Sequence, residues 1–268
     1  MPRVRESSLL WEVPPPPTHA LVRPPGARFA QALTSQTPRL PIDVARARSQ
    51  HQAYVQALGA LGLQVHPLAP DDDYPDACFV QDTAVVLGVL AVVCRLGAPS
   101  RQGEEAAVAQ ALASHLRLAR IEPPGTLEGG DVLRVGRRLF VGLSGRSNRQ
   151  GIAQLEALAA PLGLAVTAAP VGAGLHLLSG CTYLGRGMLL ATGAQAALPQ
   201  FLDLEILCVP HEEAWGANCL VVGDQVLLPD DCPRLRQLLA QRGFRVLGVP
   251  MSEFAKADGG LTCLSVLW

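Results

Sequence analysis

A closed ring of α/β units, five strand–strand–helix–strand (ββαβ) repeats, is the fold class this sequence predicts, and three observations predict it. A short apolar run, a turn with glycine, a second apolar run, a helix and a further strand recur four times along the 268 residues. The repeat length is close to constant. Asp82 and Asp131 stand 49 residues apart at the starts of two hairpins, and Ala217 and Leu261 stand 44 apart. Periods of about 20–50 residues mark rings, solenoids and propellers. The two chain ends are also complementary halves of a fifth unit. Joining them closes the ring and removes its exposed sheet edges. The competing architecture is an open α/β sheet.

Residues 1–17 hold a four-proline run and read as an irregular N-terminal segment. Residues 18–23 (THALVR) read as a strand and 24–41 as a long loop. A helix over 43–61 follows from Val44, Ala47, His51, Tyr54, Val55 and Leu58 at three- and four-residue steps, with Asp43 suited to cap it. Gly62 ends it, and a strand at 63–68 leads to the polar loop 71–73. The first full unit is hairpin 83–87/89–95, helix 103–115 and strand 118–121. The second is hairpin 131–135/139–143, helix 148–162 and strand 165–170. The third is hairpin 181–184/188–192, helix 194–202 and strand 205–209. The fourth is hairpin 217–222/225–229, helix 233–242 and strand 245–249. Strand 261–267 ends the chain, with 18–23 as its expected partner. Nothing in 18–268 reads as an interdomain linker, so 1–268 is expected to form a single domain.

Composition narrows the function. A net charge of −1 and 4% aromatic residues argue against a nucleic-acid binder. With 49% apolar and 17% charged residues the chain is too apolar for disorder. The longest apolar run, 83–94, is far below the ~20 residues that span a membrane. No apolar segment precedes the proline run, so no secretory signal is expected. Seven scattered cysteines without a C-x-x-C pair point to reduced thiols and a cytoplasmic location. The histidines show no paired metal-ligand spacing, so no metal or other cofactor is expected.

A ring gathers loop residues from equivalent repeat ends at one centre. Four such ends carry reactive groups. Asp82 precedes a hairpin. Glu128-Gly129-Gly130-Asp131 sets two carboxylates about a glycine turn. His176 interrupts an apolar strand, and Gly259-Gly260 leads to Cys263. Arg101 and Arg146 lie in loops after two hairpins. Each has a plainer reading: His176 as a hydrogen-bonded core residue, Cys263 as a small buried hydrophobe, Asp82 and Asp131 as turn caps, the arginines as solvated charges. The combination at corresponding repeat positions favours a site. His211-Glu212-Glu213 reads as a surface turn or a lid.

Taken together, the motifs resemble the dimethylarginine dimethylaminohydrolases of the guanidino-group-modifying (pentein) superfamily. The resemblance runs over nearly the whole chain. Its motifs are T-H-A-L-V-R from Thr18, D-V-A-R-A from Asp43, P-D-x-x-F-V-Q-D from Pro75, G-A-P-S-R from Gly97 and E-G-G-D-V-L from Glu128. F-V-G-L-S-x-R-x-N from Phe140, G-L-H-L from Gly174, A-N-C from Ala217 and L-T-C-x-S-V-L from Leu261 complete the set. It implies a five-bladed α/β propeller that hydrolyses Nω-methylated arginine to citrulline and an alkylamine. It further implies Cys263 as nucleophile, His176 as general acid and base, and Glu128 as the carboxylate orienting His176. Asp82 would hold the guanidinium, Asp76 the α-ammonium with help from backbone at Leu33 and Ala257, and Arg101 and Arg146 the α-carboxylate. The implied partner is a small methylated arginine, with no nucleic acid or membrane, and the protein a monomer or homodimer.

Two positions depart from the patterns of such enzymes. Gln81 stands where the family usually has Glu, which removes a negative charge from beside the substituted nitrogen. Leu178 stands where arginine deiminases carry the Asp of His-x-Asp, which would leave room for N-methyl groups. The alternatives are a related guanidino or ureido hydrolase or deiminase, an amidinotransferase, and a non-catalytic pentein that binds a partner.

Overall fold

A computed structural model describes residues 15–171 and 174–268. The expected irregular segment 1–17 lies outside the described residues except for prolines 15–17, which form no helix or strand. The chain begins with β1 (His19–Val22), α1 (Val44–Ala60) and β2 (Gln64–Pro67). The first full repeat is β3 (Ala84–Leu87), β4 (Leu90–Val93), α2 (Glu105–Leu112) and β5 (Arg117–Arg120). The second is β6 (Val132–Val135), β7 (Arg138–Leu143), α3 (Arg149–Ala159) and β8 (Ala165–Pro170). The third is β9 (Cys181–Gly185), β10 (Met188–Ala191), α4 (Gly193–Ala196) and β11 (Glu205–Cys208). The fourth is β12 (Leu220–Val222), β13 (Gln225–Pro229), α5 (Pro233–Gln241) and β14 (Arg245–Val249). Helix α6 (Ser252–Ala255) and strand β15 (Ser265–Leu267) close the chain.

These strands form 3-stranded sheets, one per blade. In each full repeat the hairpin is antiparallel and the strand after the helix joins it in parallel. The terminal blade has the same plan. β15 pairs with β1 antiparallel, Ala20 opposite Leu267, and β1 pairs with β2 in parallel, Ala20 opposite Val65. A ladder of three residue pairs thus joins the two ends of the chain and closes the ring. First strands of neighbouring blades meet around the axis, β15 with β3, β6 with β9 and β9 with β12.

Apolar packing lies between blades. Val85, Val92, Leu139 and Val141 join the first blade to the second. Phe140, Leu189 and Phe201 join the second to the third. Leu190, Val226 and Leu235 join the third to the fourth. Ala20, Tyr54, Leu58, Leu227 and Phe254 join the fourth to the terminal blade. Leu21, Val108 and Val266 complete the circuit. Burying one such side chain contributes about 1.5–3 kcal/mol. Each blade therefore depends on two neighbours.

Local rules explain most boundaries. Asp43 caps α1 by accepting from Arg46 N at 3.0 Å, and Asn148 caps α3 by accepting from Gly151 N at 2.8 Å. Three expectations need correction. The helix over 194–202 is only Gly193–Ala196, followed by a 3-10 turn at Pro199–Phe201. Pro199 lacks an N–H and drives Leu198 to extended geometry, ψ 129°. The strands expected at 217–222 and 261–267 begin three and four residues late, at Leu220 and Ser265, because 3-10 turns at His211–Ala217 and Thr262–Leu264 lead into them. The apolar run around His176 is not a strand; Leu177–Ser179 is a 3-10 turn.

Candidate active site

A 3-10 turn precedes the first strand of every blade: Val80–Thr83, Gly129–Asp131, Leu177–Ser179, His211–Ala217 and Thr262–Leu264. The turns meet in sequence around the axis, and the side chains on or beside them converge. They line a cleft of about 270 Å³ formed by Asp76, Asp82, Arg101, Arg146, His176 and Cys263, with Leu33 and Ala257 at its wall. Eight of the ten predicted site residues therefore line one cleft.

Glu128 lies directly behind it. The carboxylate is fully buried, and its Oε2 is 2.7 Å from His176 Nε2. Burial alone would raise Glu128, but the hydrogen bond from His176 and the charges of Arg101 and Arg146 hold it well below the usual carboxylate range. For His176, burial favours the neutral ring. Asp82, the Glu128 hydrogen bond and Asp131 outweigh that and hold the imidazolium up to about 9. His176 is thus a cation at neutral pH, poised to give up a proton.

Cys263 is the partly accessible thiol in the cleft, and Gly260 N–H points at its Sγ at 3.4 Å. Burial pushes the thiol up to about 12, and Asp82 adds to the rise. Burial outweighs the opposing charge of Arg101, so without a further cation beside it the sulfur keeps its proton. Cys263 also borders a second, more open groove of about 520 Å³ toward Trp215 and Ala255.

Asp82 has one fixed partner on each oxygen. Oδ2 accepts from Arg101 Nη1 at 2.7 Å and Oδ1 from Gly130 N at 3.1 Å. A second acceptor site on each oxygen remains. Asp76 accepts from Leu33 N at 3.0 Å, and burial raises its carboxyl. Arg146 Nη1 lies 3.4 Å from Glu128 Oε1. Asp82, Glu128 and His176 hold ligand-type atoms within 4.8 Å of one another. The Arg101 guanidinium already stands there, 2.7 Å from Asp82 and 3.9 Å from Glu128, and supplies the local positive charge.

Two departures noted in the sequence are relocated. Gln81 does not reach the cleft; it lines a separate cavity near the axis with Val132, Leu220 and Val266. Successive residues of a 3-10 turn point about 120° apart, so Asp82 and Gln81 face different spaces. Leu178 packs between blades among Leu133 and Phe201 rather than lining the cleft. The glycines also act differently from expectation. Neither Gly129 nor Gly130 has a positive φ. A Cβ on Gly129 would sit 2.1 Å from Gln81 O, and one on Gly130 2.9 Å from His176 Cγ. Close approach excludes side chains there, not turn geometry.

Sequence reasoning gave no site role to four buried groups. Asp131 accepts from Ser144 Oγ, Ser147 Oγ and Leu177 N at 2.6, 2.7 and 3.0 Å, which fits its reading as a cap. Ser147 Oγ also accepts from Glu128 N at 3.0 Å. Asn218 donates to Leu178 O and Thr262 Oγ1 and accepts from Thr262 N, tying the His176 turn to the Cys263 turn. Glu104 pairs with Arg101 at 2.8 Å, a spacing of three residues that charge patterning does flag. Of His211-Glu212-Glu213, the first two are exposed on a 3-10 turn, as a surface turn requires, and the third is turned inward. Buried Glu213 accepts from Arg234 N and Leu235 N at the start of α5, and Asn218 is held as above.

A family model described as N,N dimethylarginine dimethylhydrolase, eukaryotic, matches residues 32–171. The chain is 36% identical to the N(G),N(G)-dimethylarginine dimethylaminohydrolase of Pseudomonas aeruginosa, over 92% of this chain and 98% of that one. It is 39% identical to the enzyme of the same name from Streptomyces coelicolor, over 94% and 97%. A solved structure of the Pseudomonas enzyme, a cysteine-to-serine mutant complexed with citrulline, superposes with a TM-score of 0.92 at 35% identity. It covers 94% of this chain and 99% of that chain. The N-terminal domain of ArgZ, an arginine dihydrolase from cyanobacteria, shares the fold at 22% identity and a TM-score of 0.83, over 93% and 97%.

Proposed function

The chain belongs to the dimethylarginine dimethylaminohydrolase family, with the pentein fold, and from that premise we propose how its cleft acts. The protein hydrolyses Nω-methylated L-arginine to L-citrulline and dimethylamine or methylamine. The observation that carries this reading is the convergence of Cys263, the His176–Glu128 pair and Asp82 on one cleft, flanked by Asp76 and Arg146.

The substrate enters as a dication at its two nitrogen ends with one carboxylate. Asp82 accepts two guanidinium N–H groups, Asp76 receives the α-ammonium beside Leu33 and Ala257, and Arg146 pairs with the α-carboxylate, joined by one N–H of Arg101. The guanidinium brings its positive charge next to Cys263, which favours the thiolate over the thiol. The sulfur attacks the guanidinium carbon. His176 gives its proton to the substituted nitrogen, the C–N bond breaks and the amine leaves, with a thiouronium left on Cys263. His176 is then neutral and takes a proton from water as the oxygen attacks. Breakage of the C–S bond releases citrulline. Glu128 keeps the ring oriented and stabilises its charged form in both directions. Gln81, set apart from the cleft, plays no direct part in choosing the substituent.

The residues act within one catalytic unit spanning 1–268. Among the described residues no helix is long and apolar enough to cross a membrane. All seven cysteines are free thiols, which suits a reducing compartment such as the cytoplasm, and the enzyme works as a monomer or homodimer. Parallel incubation with asymmetric dimethylarginine, monomethylarginine and arginine, followed by citrulline assay, tests the reading. Turnover of the methylated substrates is expected. Turnover of arginine alone, or of none, overturns it.

A further inference from the structure

Glu104 is buried to 1% exposure, faces no substrate space and has no part in the chemistry above. Its carboxylate is nonetheless the most heavily engaged partner of Arg101. Arg101 Nε lies 3.1 Å from both Glu104 oxygens, and Nη2 lies 2.8 Å from Oε2. Nη2 also reaches Phe79 O at 3.3 Å, and Nη1 reaches Asp82 Oδ2 at 2.7 Å. The guanidinium has five N–H donors, so one Nη1–H is left beyond these bonds.

This division of donors has a consequence for Asp82. An arginine beside a carboxylate tends to pair through two parallel N–H···O bonds, which occupy both oxygens. Here the Nε/Nη2 edge of Arg101 is spent on Glu104 and the second Nη2–H on Phe79 O, so Asp82 receives a single bond from Nη1. Both Asp82 oxygens therefore keep an acceptor site for a planar N–H pair from another cation.

We propose that Glu104 is a positioning residue: by holding the forked edge of Arg101 it keeps the Arg101–Asp82 pair single-bonded and Asp82 open to a guanidinium or amidinium. The proposal takes its substrate from the hydrolase reading, but capture of a planar cation beside Cys263 is measurable without turnover. Without the Glu104 charge, Arg101 turns its fork onto Asp82 and competes with the substrate for the same oxygens.

The test compares alkylation of Cys263 by chloroacetamidine, a planar cation, with that by chloroacetamide, its neutral counterpart. In both, the sulfur displaces chloride, so the ratio of rates cancels the intrinsic reactivity of the thiol and reports what the captured cation adds. Cys263→Ser, which should not react, identifies the labelled site. Glu104→Gln should lower the ratio about ten-fold, the equivalent of one charge-assisted hydrogen bond, while the chloroacetamide rate stays within about two-fold. Glu104→Asp should recover part of the ratio. In turnover, Glu104→Gln should raise KM for dimethylarginine about ten-fold and leave kcat within about three-fold. A wild-type ratio in folded Glu104→Gln, or equal slowing of both reagents, overturns the proposal. If Glu104→Gln fails to fold, Arg101→Lys serves. An ammonium cannot fork onto Asp82, so the ratio should stay within about three-fold of wild type there, and a fall of about ten-fold overturns the proposal. Wild-type enzyme that shows cation-selective alkylation but no turnover of dimethylarginine would sink the hydrolase reading and leave this one standing.

Discussion

The two ends of the first strands are made from equivalent connections of the same repeat, yet their chemistry is opposite. At one end the hairpin turns Gly88, Gly136, Gly185 and Gly223 adopt φ of 70, 59, 85 and 62°. A Cβ at Gly88, Gly185 or Gly223 would meet nothing within 4 Å, and Val89 is 65% exposed. At the other end the 3-10 turns bring Asp82, Glu128, Asp131, His176 and Asn218 together, all nearly inaccessible to water. Glycine serves conformation at the first end and close approach at the second. The lesson is one of geometry. Hairpin tips splay outward into solvent, whereas the turns that lead into the inner strands are forced against one another by ring closure. Chemistry that needs desolvated, mutually held charges has only one end available to it.

Substitutions at each end can break or sharpen that contrast. The largest effect is expected from Cys263→Ser, which should reduce citrulline formation by at least about 1,000-fold while the melting temperature stays within a few degrees. Retained turnover would refute the covalent step. Asp82→Asn comes next. It removes one anionic partner of buried Arg101 and leaves Glu104 as the other, so a loss of about 1–3 kcal/mol is expected. Chemical denaturation should show that loss, and kcat/KM should fall with it; a stable, active variant would mean Asp82 is not at the centre of the network.

The third effect is on pH. The folded protein holds the His176 imidazolium up to about 9, above the ~6.5 of an unfolded histidine. Its contribution to stability is therefore complete below ~6.5 and is lost as pH rises through about 9. Unfolding free energies measured across that window should decline, and His176→Asn should flatten the decline. An unchanged slope would show that His176 is not the group responsible.

Ser147→Ala should cost about 1–3 kcal/mol, because Glu128 N and Asp131 each lose a buried partner. The smallest effect should come from the solvent end. Gly88→Ala places a side chain at positive φ at a cost of about 1 kcal/mol and should leave kcat/KM unchanged. A large activity loss there would erase the distinction between the two ends.

Much of this was legible in the chain alone. Periodic apolar runs and turn glycines determine the blades, because hairpin and helix signals are local in sequence. The incomplete units at the two ends imply closure, since neither can bury its open edge otherwise. The types of reactive residue, and their places at repeat ends, also stand in the sequence. What only the tertiary structure decided is direction and distance. Asp82 and Gln81 are neighbours in sequence, but a 3-10 turn sends one to the cleft and the other to the axial cavity. Leu178, two residues from His176, goes to a seam between blades. Asp131, Ser147 and Asn218 carry no motif that separates a cap from an ordinary turn residue. Their roles exist only once loops 16 to 46 positions apart are brought within 3.0 Å of one another. Hydrogen bonds act over a few ångströms through space and carry no signature along the chain. The sequence therefore determines the ring, and closure of the ring determines which side chains meet.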